Sequence, residues 1–243
     1  MGNNVEILGV RIDSVYTREA VATALRLAAA DRGSYIVTPN AEIVMASLKH
    51  PGLKQALAFA DLSVGDGVGV LWASRFLGRP LPEKVNGIDL MLELLKEAGK
   101  RSLRVYLIGA REEVVAAAAK RISTDMGVNV VGYHHGYFGS DDEADILLSI
   151  RESSPHIIFV GMGSPRQELW MHKCVGRIPR GVMMGVGGSL DVISGAKPRA
   201  PRTVQQLGLE WLYRLIREPW RARRMTALPR FVLAVVMAKL RGI

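Results

Sequence analysis

The chain has 243 residues, 49% of them hydrophobic, one cysteine (Cys174) and a formal net charge of +9. That length buries a full core, as one large domain or a domain with an appendage, and the apolar content excludes a disordered chain. One cysteine excludes an internal disulfide and a cysteine-only zinc site, so a reducing cytoplasm is expected.

The start, Met1-Gly2-Asn3-Asn4, has no basic segment ahead of an apolar one, so no signal peptide is expected. Thr17 reads as the N-cap of a helix over 18–31. A strand at 35–38 runs into Pro39-Asn40-Ala41-Glu42, and a helical pattern fills 41–60. A strand at 62–64 ends in Gly65-Asp66-Gly67-Val68-Gly69, ahead of a helix over 67–77. Another helix spans 87–99, then a strand at 104–108, a helix at 112–126 and a strand at 129–133 followed by His134-His135. Ser140 would cap a helix over 141–152 with Asp141, Asp142 and Glu143 in its first turn. A strand at 157–160, a helix at 165–175 and a strand at 182–186 complete the body.

The strands are short, rich in Val and Ile, and apolar on both faces, as buried parallel strands are. Their alternation with helices predicts an α/β fold: a Rossmann-like parallel sheet with helices on both faces over 1–196. Residues 197–243 read as a basic helical appendage. Pro198 and Pro201 interrupt regular structure at its start. A helix is expected over 203–217, a second from Pro219, and a third over 231–240 after Pro229. From Leu209 onward, eight Lys or Arg face two acids, which accounts for six of the nine net positive charges. Trp211, Tyr213, Trp220 and Phe231 lie among them, a composition suited to anionic lipid or phosphate. The longest clean apolar run, 231–238, falls far short of the roughly 20 residues a spanning helix needs. Nucleic acid fits less well, because the body is nearly balanced in charge and carries no such motif.

In parallel α/β sheets ligands bind at the carboxyl ends of the strands. Here those ends carry Thr38-Pro39-Asn40, Gly65-Asp66-Gly67, Gly163-Ser164-Pro165-Arg166-Gln167-Glu168 and Gly185-Val186-Gly187-Gly188-Ser189-Leu190-Asp191. Neither a Walker A loop nor a Gly-x-Gly-x-x-Gly fingerprint is present. Asp66 is either a turn aspartate or a general base held at a strand end. Asn40 is either a helix cap or a ligand residue, and Thr38 and Gln167 have similarly plain structural alternatives. His134-His135 on a strand would point to opposite faces, so no metal site is expected there. Asp141-Asp142 reads as complement to a helix dipole.

Taken in order, the segments at 38–42, 66–69, 80–87, 134–138, 163–168, 185–191, 208–215 and 218–221 resemble the WecG/TagA/CpsF glycosyltransferase family, most closely its TagA branch. The resemblance covers nearly the whole chain. It implies a metal-independent, cofactor-free, inverting transferase moving N-acetylmannosamine from UDP to the 4-hydroxyl of lipid-linked N-acetylglucosamine diphosphate, the first committed step of the wall teichoic acid linkage unit. It further implies that Asp66 is the base, that Thr38, Asn40 and Gln167 line the pocket, and that Asp191 with Gly187 and Gly188 holds the nucleotide. Arg214, Arg221 and Arg224 would close over the site and meet the diphosphate. Lys84 stands where the family pattern suggests arginine, which keeps the charge but not the bidentate fork. Such an enzyme works at the cytoplasmic membrane surface, and apolar surface beneath the tail would favour a homo-oligomer away from it. Another UDP sugar, such as N-acetylmannosaminuronate, and a nonenzymatic nucleotide- or lipid-surface binder are the competing readings.

Overall fold

The computed structural model describes residues 4–241, and the side chains of Arg221 and Arg223 are outside the described set. The chain opens on a hairpin that the sequence reading did not include, β1 (Asn4–Ile7) paired antiparallel with β2 (Val10–Asp13). Leu8 and Gly9 both take positive φ, 51° and 80°, as a tight two-residue turn matched to strand twist requires. Val5, Ile7, Val10 and Ile12 are buried while Glu6 faces out, the period-two pattern of a half-buried strand pair. The hairpin braces the next strands: Arg11 donates to the Ala60 carbonyl at 2.6 Å, and the Asp13 carboxylate accepts from the Ser63 N–H at 2.8 Å.

The main sheet holds six parallel strands. They are β3 (Gly33–Val37), β4 (Leu62–Ser63), β5 (Arg104–Gly109), β6 (Asn129–His134), β7 (Ile157–Gly161) and β8 (Gly181–Gly185), in the order β4-β3-β8-β7-β5-β6. Alternate residues feed two cores. On one face Tyr35, Val37, Tyr106, Ile108, Ile158 and Met183 pack under α2 (Ala41–Ser47), α3 (Pro51–Ala58), α7 (Glu143–Ser153) and α8 (Arg166–Cys174). On the other, Ile36, Val105, Leu107, Phe159 and Met184 meet α1 (Thr17–Ala28), α5 (Gly87–Lys100) and α6 (Glu112–Met126). The α/β class with helices on both faces is therefore as expected.

Boundaries differ where local chemistry was misjudged. The expected helix over 41–60 is two helices, because His50 caps α3 by accepting from the Leu53 N–H at 3.1 Å and Pro51 opens it. Tyr16, not Thr17, precedes α1, and its N–H donates to the Glu19 carboxylate at 2.8 Å. Asp142, not Ser140, precedes α7. α4 (Gly67–Phe76) follows β4 as expected, and the short α9 (Ser189–Ile193) after β8 was not among the expected helices.

The tail comprises α10 (Arg202–Gln206), α11 (Glu210–Arg217), α12 (Ala222–Met225) and α13 (Ala227–Leu240). The expected helix over 203–217 is broken at Gly208, which sits at φ 70°. Pro229 lies inside the first turn of α13, where its missing N–H costs nothing, so the helix starts before it. α13 packs on α2 and α4 and inserts Phe231 and Val235, both fully buried, into the first core. Among the described residues no helix is long and apolar enough to cross a membrane.

Candidate active site

The carboxyl ends of β3, β4 and β8 meet in one cleft. Thr38 leaves β3 buried, with its hydroxyl donating to the Gly185 carbonyl of β8 at 3.4 Å. Asn40 caps α2: its Oδ1 accepts from the Ile43 N–H at 3.0 Å. The cap reading of Asn40 therefore holds, and it leaves the Nδ2 group without a hydrogen bond among the described residues.

Asp66 follows β4 and stands at the N-cap position of α4, yet its side chain makes no cap hydrogen bond. An aspartate there ordinarily satisfies the first turn of its own helix. The Gly87 N–H at the start of α5 instead lies close enough to favour the charged carboxylate and lower its pKa. The Asp66 N–H donates to the Pro39 carbonyl at 3.0 Å, which ties the β4 end to the β3 end. Glycine at 87 permits the approach, since any side chain there would come within 3.2 Å of Thr38 Oγ1. Burial pushes the Asp66 pKa up from 3.8 to about 6, against the pull of Arg214; Glu210 raises it, while Lys84 and the Gly87 N–H lower it. A partly desolvated carboxylate of that kind is ionised at neutral pH and still avid for a proton, which is what a general base requires.

The opposite wall is organised by Gln167, in the first turn of α8 and almost wholly buried. Its Oε1 accepts from the Gly187 N–H at 3.0 Å, and its Nε2 donates to Glu168 Oε1 at 2.8 Å. Gly187 sits at φ 51° with open space where a side chain would stand, so the turn after β8 borders a vacant volume. Glu168 is buried, burial raises its pKa, and Gln167 opposes that rise by hydrogen bonding. Asp191, one turn further along in α9, lies 3.7 Å from the Lys197 ammonium, and Gly188 stands at the helix N-cap between them and Gly187.

The tail crosses this cleft and is fastened to both sides of it. Glu210 Oε1 is 3.4 Å from Lys84 Nζ and accepts from Asn86 Nδ2 at 3.1 Å. Lys197 pairs with Glu218 at 2.6 Å. Arg224 reaches Glu42 of α2 at 3.1 Å and donates to the Ser164 carbonyl at 3.5 Å. Arg214 on α11 faces Asp66 closely enough to lower its pKa. Of the three tail arginines singled out in the sequence, Arg214 and Arg224 thus reach the cleft, and the Arg221 side chain lies outside the described residues. Lys84 also lies at the cleft, but its ammonium is engaged by Glu210.

The profile of the Glycosyl transferase WecG/TagA/CpsF family matches residues 5–243. The chain belongs to that family. It is 38% identical over 207 residues to the N-acetylglucosaminyldiphosphoundecaprenol N-acetyl-beta-D-mannosaminyltransferase of Bacillus spizizenii, covering 85% of this chain and 80% of the relative. It is 38% identical over 237 residues to the protein of the same name from Staphylococcus aureus, covering 97% and 93% respectively. The family membership makes this protein a glycosyltransferase.

Thr38, Asn40, Asp66, Gln167, Gly187 and Gly188 follow the carboxyl ends of β3, β4, β7 and β8, which are neighbours in the sheet, Asp191 follows in α9, and Lys84, Arg214 and Arg224 come from the loop before α5 and from the tail. Gly87, Asn86 and Glu210 were missed as site residues. The first two stood beside Lys84 in the sequence, and Glu210 stood in the segment at 208–215 and as one of two acids in a basic tail, with no role assigned to it. The rings of His134 and His135 lie 4.5 Å apart rather than on opposite faces, because β6 ends at His134 and alternation stops there. No group of three or more His, Cys, Asp or Glu that could hold a metal ion occurs among the described residues.

Proposed function

We propose that this chain transfers N-acetylmannosamine from a UDP donor to the 4-hydroxyl of N-acetylglucosamine carried on a polyprenyl diphosphate, with inversion at the anomeric carbon and without a metal, in assembly of the wall teichoic acid linkage unit. The observation that carries the reading is the Asp66 carboxylate at the carboxyl end of β4, making no cap bond to the helix it heads and raised by burial to a pKa of about 6. The names of the Bacillus and Staphylococcus relatives supply the sugar and the acceptor.

In this mechanism Asp66 accepts the proton of the acceptor hydroxyl as its oxygen attacks the anomeric carbon. The bond to UDP breaks on the opposite side, so the configuration inverts. Charge accumulating on the departing diphosphate has to be met by fixed cations and N–H donors in a dry site. Arg214, Arg221, Arg224 and Lys84 are assigned that task, and Arg is well matched to a diphosphate because it binds in a bidentate fork. Thr38 and the Asn40 Nδ2 group orient the sugars. Gln167 holds the Gly187-Gly188 turn, and Asp191 sits at the nucleotide.

A polyprenyl-linked acceptor confines the work to a bilayer surface. Residues 197–243 act as the appendage that closes the cleft and lies on the inner face of the membrane. Support comes from α11 and its surroundings, where Leu207, Ile216 and Trp220 are about 70% exposed amid basic residues. Attraction to an anionic leaflet contributes about 1 kcal/mol per nearby basic residue, screened by salt. The test is turnover of a donor panel, including UDP-N-acetylmannosamine and UDP-N-acetylmannosaminuronate, with a lipid-diphosphate N-acetylglucosamine analogue. Preferential use of the first supports the reading. Preference for the second reassigns the donor, and no turnover of either refutes the transferase assignment.

A further inference from the structure

Glu210 is the residue through which the tail touches the loop before α5. It opens α11, and its carboxylate is only 18% exposed although it lies on a surface helix. Both of its partners, Lys84 and Asn86, come from the segment between α4 and α5. That segment is itself rigid: the Leu81 N–H donates to Ser74 Oγ at 3.1 Å, and the Glu83 carboxylate accepts from the backbone and hydroxyl of Thr17. Asn86 also donates to Asp89 at 3.0 Å, and Asp89 pairs with Arg199 of the linker into the tail. The next residue after Asn86 is Gly87, whose N–H lowers the Asp66 pKa. Where α11 seats beside Ile88 and Arg199, the remaining void is about 20 Å³, room for one water at most.

Resting on the base assignment above, we propose that Glu210 is a positioning residue that couples closure of the tail to the state of the catalytic carboxylate. It anchors α11 on Lys84 and Asn86, immediately before Gly87 at the start of α5, and it draws the Lys84 cation away from that carboxylate.

The physical consequence follows from the groups that face Asp66, namely Arg214 and Glu210 from α11, and Lys84 and the Gly87 N–H from the loop and α5. Arg214 and Lys84 both favour the carboxylate, which would make it a weak base if unopposed. Glu210 is the acid set against them. It arrives on the same helix as Arg214, so closure brings both at once. Arg214 can then serve the departing diphosphate while Asp66 keeps its affinity for a proton. With the tail open, Lys84 is released to pair with Asp66, and the open enzyme holds a poorer base.

The test is the pH profile of kcat/KM for Glu210→Gln and Glu210→Ala in the full-length protein, using a water-soluble acceptor analogue so that bilayer attachment does not enter. Glutamine can still accept from Asn86 Nδ2 but carries no charge. The acid limb, near pH 6 in the unaltered enzyme, is expected to move to lower pH by about half a unit in Glu210→Gln, with a several-fold fall in the plateau. Glu210→Ala is expected to show the same displacement and faster tryptic cleavage in the tail. An acid limb that stays in place or moves upward in Glu210→Gln overturns the proposal, whatever happens to the plateau. If the unaltered enzyme has no such limb, or Asp66→Asn retains it, the base assignment falls and this inference falls with it. A limb present in the unaltered enzyme, lost in Asp66→Asn and unmoved in Glu210→Gln overturns the coupling alone.

Discussion

Holding a carboxylate ready to take a proton costs folded-state stability, and Asp66→Asn is expected to recover it. Burial raises the Asp66 pKa from 3.8 to about 6 in the folded protein. Each unit is worth about 1.4 kcal/mol, so the ceiling on the cost is about 3 kcal/mol. The residue is not wholly enclosed, and solvent screening reduces that to about 1–2 kcal/mol. The folded state binds this proton more tightly than the unfolded chain does. Stability is therefore lost as pH rises from about 4 to about 6, and the full cost is present above that window. Asparagine keeps the shape of the side chain and never ionises. At pH 8 its melting temperature is expected to exceed that of the unaltered protein by about 2–8 °C, using about 2–4 °C per kcal/mol for a chain of this size. Near pH 4 most of that gain is absent. The assay is differential scanning calorimetry of both proteins at the two pH values. A variant less stable at pH 8, or a difference independent of pH, refutes the argument that the carboxylate is held against its own solvation.

Other consequences follow from packing and polar contacts. Phe231→Ala removes a fully buried ring where α13 meets α2 and α4, and is expected to cost about 3–5 kcal/mol in urea denaturation; a loss under about 1 kcal/mol contradicts the docking of α13. Gln167→Leu strands the Gly187 N–H and is expected to weaken UDP binding roughly tenfold by calorimetry, since an unpaired buried group costs about 1–3 kcal/mol; unaltered affinity removes Gln167 from the nucleotide side of the cleft. Arg224→Ala is expected to lower turnover with a soluble acceptor as well as at vesicles, and full soluble-acceptor activity would restrict that arginine to membrane attachment. Turnover is expected to survive excess EDTA; collapse reversed by Mg²⁺ or Mn²⁺ would contradict the assignment of diphosphate charge to arginines and lysine.

The sheet was legible because most of its strands are buried and read as short apolar runs between helical patterns; the edge strand β6, with Asn129 and Tyr133 exposed, is the exception. The β1–β2 hairpin was missed although Val5, Ile7, Val10 and Ile12 alternate around Leu8-Gly9, because strands of four residues give a weak periodic signal. Pro51 stood in plain view inside the expected helix over 41–60, and its role as the start of α3 depends on a histidine cap that composition does not announce. On the site, Thr38, Asp66 and Gln167 could be placed because strand ends gather ligands in such sheets. The surroundings of the Asp66 carboxylate could not, since Arg214, Glu210 and Lys84 come to it from distant parts of the chain. Glu210 was invisible for the same reason on a larger scale. Its partner Asn86 lies 124 residues away, and only the fold-back of the tail brings the two together. The burial of Phe231 and Val235 was equally illegible, because an apolar run at the end of a basic tail reads as well for a membrane as for a core.

The most direct test of the whole account is the turnover of Asp66→Asn with UDP-N-acetylmannosamine and a soluble lipid-diphosphate acceptor analogue, measured beside its affinity for UDP. A positioned base contributes about 10²–10⁴ in rate, so turnover is expected to fall by that factor while UDP affinity changes little. Near-full turnover in the asparagine variant would show that the proton goes elsewhere and would contradict the central claim.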